Sequence, residues 1–456
     1  VTALLVVAIF CGFVYAQNNN TTTGKFYFLS DWHVDPYYNP DLTPDDHCHN
    51  VSEIVRETIP FRYYEHRLHS EWMKNRILSQ PDFNYGQYGC DVPIVFAEAA
   101  LSAMQQVLDT PDFIIYTGDM SGHHLPTPDS RFTAINDTIA LLSGGFPGVP
   151  IYPTLGNNDC YPDYYLAYWP NRPNEWLTKV WSSWSVYSAI PADQESNFVN
   201  GGYYSADMGD NIVLISLNTI YVCTGHNPSW SSTRFPDPAG MFAWLNQTLL
   251  DIQSQGKMAY IIGHIPPNGD WHSHYLDTYL DLIYTFQDVI TAQLFGHTHR
   301  DEMHLITDSE RGAPYGFWLQ TPSLTPKDDN NPSFRIVDYD TTNWQIIDYT
   351  QYISDLLHTQ RTSDIKFVLE YVFKELYEVD EEYITLDSMM STISKLTKDT
   401  QLFQRWKSNY DCQYEDPTSR MEYFCEMYYP GDDAQGACED KGPYQSPPAG
   451  IYDDII

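Results

Sequence analysis

Positive charge is what this sequence has least of. Its 456 residues carry 24 Lys and Arg against 60 Asp and Glu, a formal net charge of −36 with His neutral. That deficit excludes a basic surface tracking duplex nucleic acid. Long apolar runs are missing after residue 16, so no later segment is fit to cross a bilayer as a helix. Cysteine never occurs as Cys-x-x-Cys, which argues against a thiolate zinc site and leaves disulfides as its expected use. There is no P-loop and no internal repeat. The C-terminal Tyr452–Ile456 lacks the hydrophobic tail of a lipid-anchor signal.

What is present points to export. Residues 1–16 are almost wholly apolar and end in Val14-Tyr15-Ala16, the pattern of a secretory signal peptide; a polar linker over 17–24 follows. Acceptor sequons at Asn19, Asn20, Asn50, Asn136 and Asn246 fit a glycosylated surface. Removal of Cys11 with the signal leaves seven cysteines, so one stays free or pairs between chains. The acidity suits a secreted or acidic-compartment protein. Length and a hydrophobic content of 43% suit one large α/β domain with a smaller appendage.

Short strands alternate with helical periods. Lys25–Ser30 reads as a first strand, followed by an insertion reaching Cys90. Asp91 is expected to cap a helix with Pro93 in its first turn, because Ile94, Ala97, Leu101, Met104 and Leu108 recur at helical spacing. Strands are expected at 113–116, 151–154, 211–217, 258–262 and 292–295, with helices near 131–142 and 238–254. This is the βαβ rhythm of a layered α/β fold, which builds its sites at strand carboxyl ends. From 302 to about 350 the pattern is mostly strand. Beyond 350 it turns helical, with one apolar stripe at Ile365, Val368, Leu369, Val372 and Leu376 and another at Met389, Met390, Ile393 and Leu396.

Five blocks place Asp, Asn or His where an expected strand gives way to a loop: Asp31-Trp32-His33, Gly118-Asp119, Gly156-Asn157, Gly263-His264 and Gly296-His297-Thr298-His299. Singly, each is an ordinary turn or loop. Together they offer seven nitrogen and oxygen ligands, enough for two divalent ions sharing one carboxylate. The i, i+2 pairs Asp31/His33 and His297/His299 share a face in extended chain, so both members can turn into one cleft. Asp119 is the expected bridge. Asp31, His33 and His299 would complete one shell, and Asn157, His264 and His297 the other. Such a pair does hydrolytic chemistry on phosphorus by acidifying a bridging water and clamping the phosphoryl group. Ligands of this kind fit zinc, and also iron or manganese.

The ordered blocks resemble calcineurin-like metallophosphoesterases. Ser30-Asp31-Trp32-His33-Val34-Asp35-Pro36, Gly118-Asp119 followed by His123, and Gly263-His264-Ile265-Pro266-Pro267 resemble the acid sphingomyelinase-like phosphodiesterases in particular. The resemblance implies a four-layer αββα sandwich over 25–350, a small helical, disulfide-stapled C-terminal region over 351–456, and two zinc ions. It also implies secretion or a lysosomal location. The expected substrates are small phosphodiesters or nucleotides, with a lipid head group as a further candidate. The chain resembles the members without a saposin-like lipid-presenting domain. Expected pairings are Cys48–Cys90 and Cys412–Cys425, which match the family's layout, and Cys160–Cys223 near the site; Cys438 is then left over.

One departure bears on activity. The family pattern Gly-Asn-His followed by an acid reads Gly156-Asn157-Asn158-Asp159 here. The His expected to protonate the leaving oxygen is Asn158, and an amide cannot do what an imidazolium does. His123 is the expected replacement, with His124 and His226 as substrate contacts; His272 and His274 are weaker candidates. His47 and His49, flanking Cys48, are expected to be solvated. The expected activity is a secreted dimetal phosphodiesterase. The alternative is a metal-binding secreted protein whose catalysis is weakened by Asn158.

Overall fold

A computed structural model describes residues 23–49, 82–170, 172–226, 235–307, 311–412 and 420–431. The expected signal peptide, the sequons at Asn19, Asn20 and Asn50, and Cys438 lie outside them.

Two six-stranded sheets form the centre. In the first, β1 (Thr23–Leu29) runs parallel to β4 (Phe113–Tyr116), and β4 to β5 (Ile151–Pro153). Helices Ile94–Val107 and Pro128–Gly145 make the two crossovers. β12 (Ser333–Asp340) pairs antiparallel with β1 on its other side, and β13 (Ile346–Ile353) and β14 (Val368–Val372) extend that edge. In the second sheet β7 (Ile212–Ser216), β8 (Met258–Ile262) and β9 (Ile290–Phe295) are parallel, joined by helices Met241–Gln255 and Ser273–Thr285. β6 (Tyr204–Gly209), β10 (Glu302–Ile306) and β11 (Gly316–Gln320) complete it. The two short strands β2 (Val34–Asp35) and β3 (Val92–Pro93) pair beside the first sheet.

Strand periodicity creates the four layers. Along β8, Tyr260 and Ile262 join the apolar cluster that includes Phe26 and Phe28 of β1, whereas Ala259 and Ile261 join the one formed with Leu245, Leu249 and Tyr279 of the outer helices. On the far side, Tyr27 of β1 points outward and donates its hydroxyl to the Met104 carbonyl of the covering helix, 2.6 Å. The result is helix, sheet, sheet, helix. Thr127 sets the start of helix Pro128–Gly145 by a reciprocal capping box with Ser130.

The C-terminal third departs from expectation. The stripe from Ile365 to Leu376 is not one helix: residues 368–372 form β14, paired with β13, and only a short helix, Phe373–Tyr377, follows. Tyr371 and Phe373 are the buried members, while Val368 and Leu369 are more than half exposed. Pairing on an open sheet edge has overridden helical spacing. The boundary near 350 therefore falls inside β13, and the first sheet contains strands from both sides of it. Helices Leu386–Lys398, Thr400–Tyr410 and Arg420–Tyr428 do form, and Met389, Ile393 and Leu396 are buried as expected. Among the described residues no helix is long and apolar enough to cross a membrane.

Cys48–Cys90 is bonded as expected, with Cα atoms 5.8 Å apart. The other two expected pairings do not form. Cys160, Cys223 and Cys412 are buried free thiols, and Cys425 is disulfide-bonded, but not to Cys412. Asn136 and Asn246 are half-buried on helices, and Asn136 accepts a hydrogen bond from Ser183 Oγ at 3.0 Å.

Candidate metal centre

The parallel strands of both sheets deliver their carboxyl ends to one place. The first sheet brings Asp31 and His33 after β1, Asp119 after β4 and Asn157 after β5. The second brings His264 after β8, and His297 and His299 after β9. Two triads converge, Asp31 with His33 and His299, and Asp119 with His264 and His297, each with candidate ligand atoms within 4.8 Å of one another. Asn157 joins the second through its Oδ1, 2.9 Å from His264 Nε2.

The turns that aim these groups are unusual. Asp31, His33, Asp119, His297 and His299 all have positive φ, between 45° and 86°. Each such non-glycine residue costs about 1–2 kcal/mol, so the surroundings must hold it. Two glycines allow the close approach. A Cβ on Gly156 would lie 2.0 Å from Asp119 Oδ1, and one on Gly296 would lie 1.9 Å from Ser30 Oγ.

Hydrogen bonding fixes the rings. His33 Nδ1 donates to the Ser121 carbonyl at 3.1 Å and His264 Nδ1 to the Thr117 carbonyl at 2.7 Å. Their Nε2 lone pairs then face inward. His33 Nε2 meets His299 Nε2 at 3.0 Å and Asp119 Oδ2 at 3.4 Å, and His264 Nε2 meets the same Asp119 oxygen at 3.2 Å. Asp31 Oδ1 is buried without a hydrogen-bond partner, 3.6 Å from His33 Nε2 and 3.5 Å from His299 Nε2. Acceptors crowded this way repel unless a cation lies among them, so the residues present fit a metal pair.

The local field agrees. Burial alone would raise Asp31, but His264, His299 and His33 hold it well below the usual carboxylate range. Asp119 is likewise held low, against burial, by His264 and His33. Burial opposes charge on the rings, yet Asp119 and Asp31 push His264 up to about 9, and Asp328 and Asp31 push His299 up to about 10. The cavity favours positive charge.

Three acids escaped the sequence reading. Asp91 does not cap the helix, whose N-cap is Pro93 with no side-chain bond. Asp91 instead accepts from His123 N at 2.6 Å and His123 Nδ1 at 2.8 Å. Asp328 lies 2.8 Å from His299 Nδ1. Asp159 gathers the backbone N–H groups of Asp119, Met120, Ser121 and Gly156 at 2.8–3.2 Å; burial and Asp119 push its carboxyl up to about 6. Asp91 and Asp328 are lone acids among 60, without a distinguishing pattern. The only available signal was Asp159's place beside Asn157 and Asn158.

His123 stacks on His33 with ring centroids 4.1 Å apart, and its side chain is 21% exposed. Burial lowers its pKa, with Asp91 opposing. His124 is exposed, its ring 4.1 Å from His47. His226 is buried, with Nε2 2.9 Å from the Leu166 carbonyl. His49 is not solvated, being buried between Asp35 Oδ2 (2.7 Å) and the His124 carbonyl (3.1 Å). His272 and His274 sit at the start of helix Ser273–Thr285, with His274 packed on Tyr275.

Asn158 is 2% exposed and turned onto the central carboxylate. Its backbone N donates to Asp119 Oδ1 at 2.7 Å and its Nδ2 to Asp119 Oδ2 at 2.9 Å. The buried Arg131 donates to the Asn158 carbonyl, pinning the turn.

Residues 24–301 match the calcineurin-like phosphoesterase family. The chain is 31% identical over 423 residues to "Sphingomyelinase phosphodiesterase D" of Dictyostelium discoideum, covering 90% of this chain and 91% of that one. It is 27% identical over 386 residues to "Cyclic GMP-AMP phosphodiesterase SMPDL3A" of Homo sapiens, covering 80% and 78%. "Acid sphingomyelinase-like phosphodiesterase 3b" of Homo sapiens matches at 25% over 448 residues, covering 91% and 90%.

Proposed function

The chain belongs to the calcineurin-like phosphoesterase family as a phosphoric diester hydrolase, and from that premise we propose that it is an extracytoplasmic dizinc phosphodiesterase acting on small soluble diesters, nucleotide diesters foremost. The observation that carries this reading is the single Asp119 oxygen facing one ring of each triad, His33 at 3.4 Å and His264 at 3.2 Å. Asp31, His33 and His299 would hold one ion and Asn157, His264 and His297 the other, with the Asp119 carboxylate lying between the two triads. When bound, such a pair supplies an acidified water and cancels charge on the phosphoryl oxygens. Ligands of nitrogen and oxygen without thiolate suit zinc.

The chain's own groups do the rest. Asp91 fixes the His123 ring and leaves Nε2 for the substrate. As the imidazolium, its Nδ1–H held by the Asp91 carboxylate, His123 donates its Nε2–H to a phosphoryl oxygen and passes that proton to the departing alkoxide, the role that Asn158 cannot fill. His124, on the exposed side, contacts the outer part of the substrate. Relatives named for cyclic GMP-AMP and for sphingomyelin support a small diester, with a lipid head group as the second candidate. The Cys48–Cys90 disulfide and the sequons support a secreted or lysosomal location.

The test is release of nitrophenol from bis-p-nitrophenyl phosphate, with elemental analysis of the same sample. Two zinc ions per chain, and turnover that a chelator abolishes and zinc restores, are expected. This leaving group hardly needs an acid. A metal-loaded chain that fails on it would be the metal-binding, catalytically weakened protein that Asn158 suggests.

A further inference from the structure

The loop bearing His297 and His299 is held from behind by the C-terminal third of the chain. Thr298 lies between the two candidate ligands. Its hydroxyl donates to Glu302 Oε1 at 2.5 Å and accepts from Gln320 Nε2, which also donates to the Arg300 carbonyl at 3.2 Å. The other Glu302 oxygen is 2.8 Å from His304 Nε2, and His304 Nδ1 is 2.9 Å from the Glu426 carbonyl in helix Arg420–Tyr428. Cross-strand pairing sets this line: Glu302 opposes Gln320 and His304 opposes Trp318, and the His304 ring stacks on Trp318 at 3.9 Å and 8°. Glu302 and His304 are both buried.

A second set of bonds reaches the same loop. Asp301 is 2.6 Å from the buried Arg335 guanidinium and accepts the hydroxyl of Tyr371 in β14; its N–H donates to the Tyr410 carbonyl at 3.3 Å. Residues 301, 302 and 298 are thus tied to the segment beyond 365 directly, through one further side chain and through two, respectively.

We propose that Glu302 and His304 are positioning residues that transmit the docking of helix Arg420–Tyr428 to the metal-ligand loop. His297 and His299 stand at φ +86° and +64°, a conformation the backbone leaves unless its surroundings over-determine it. Thr298 is the point at which the line grips that turn. Without it the loop relaxes, and the two imidazole rings lose the aim that groups them with Asp31 and Asp119. The inference rests on the reading of His297 and His299 as metal ligands.

The experiment measures zinc binding by the full chain against a competing chromogenic chelator, together with the melting temperature of metal-free and zinc-loaded protein. Glu302→Gln, and His304→Phe, which keeps the stack on Trp318, are expected to weaken zinc retention about ten- to a hundredfold, as changes behind a ligand do. They are also expected to shrink the gap between the two melting temperatures. Thr298→Val, at the half-buried end of the line, gives the same reading where a core variant does not fold. Equal loss of both melting temperatures with unchanged zinc affinity overturns the proposal, because that is what plain structural support does. Wild-type protein that takes up no zinc overturns the metal-site reading itself, and the two failures are distinguishable.

Discussion

The two halves of the candidate metal centre are built from unequal materials. The triad of Asp31, His33 and His299 is buried to within 3% exposure, carries its own carboxylate beside the shared Asp119, and has Asp328 behind His299. The other half offers Asn157, His264 and His297: no carboxylate of its own, one neutral amide, and a His297 side chain 10% exposed. A divalent cation gains more from formal negative charge in a dry setting than from neutral dipoles near water. The first half should therefore retain its ion when the second has lost its own. A carboxylate behind a ligating imidazole strengthens it further, and His33 and His264 have only backbone carbonyls in that place.

Removing the element common to both halves tests the comparison most severely. Asp119→Asn keeps the shape and deletes the bridging charge. Both ions should be lost on dialysis, and turnover of bis-p-nitrophenyl phosphate should fall by several kcal/mol of barrier, on the order of a thousandfold. A variant that keeps two ions by elemental analysis would mean that Asp119 does not bridge.

Separating the halves comes next. His297→Ala should leave a protein holding one tight ion per chain, whereas Asp31→Asn should reduce the total below one, because the carboxylate-poor half binds weakly by itself. Asp328→Asn should bring the affinities closer by lowering the first about tenfold. Equal stoichiometry in His297→Ala and Asp31→Asn would dissolve the distinction drawn here.

The same contrast explains what could be read from the chain alone. The candidate ligand blocks are short, local, and placed at strand ends, so spacing and residue type singled out the six Asp and His residues that the two triads gather, and the strands that deliver them were visible as brief apolar runs. The support around them is not local. Asp91, Asp328 and Asp159 act on His123, His299 and the Asp119 turn across 32, 29 and 40 residues respectively. The left-handed turns at Asp31 and His33 carry no glycine to betray them. β14 was hidden because strand and helix spacings coincide over so short a stretch, and a sheet edge decided between them. His49 was misjudged because a histidine in a polar loop looks solvated, and only tertiary contacts reveal the Asp35 carboxylate and the His124 carbonyl that occupy it.

The smallest effect concerns Asn158, where two consequences oppose one another. In Asn158→His an imidazole replaces the amide at the position where the resemblance leads one to expect a general acid, a role typically worth 10²–10⁴-fold. The Asn158 side chain, however, is spent on Asp119: its Nδ2 bond at 2.9 Å is lost on substitution, while the backbone bond at 2.7 Å remains. The gain appears only where the leaving group needs a proton, and the loss appears with every substrate. The ratio of alkyl-ester to nitrophenyl-ester turnover should therefore rise about tenfold, below the usual range, while the nitrophenyl rate itself declines slightly and zinc is held less firmly. Measuring both esters on one preparation separates the terms. An unchanged ratio would leave His123 as the sufficient acid and reduce Asn158 to a clamp on the carboxylate that joins the two halves.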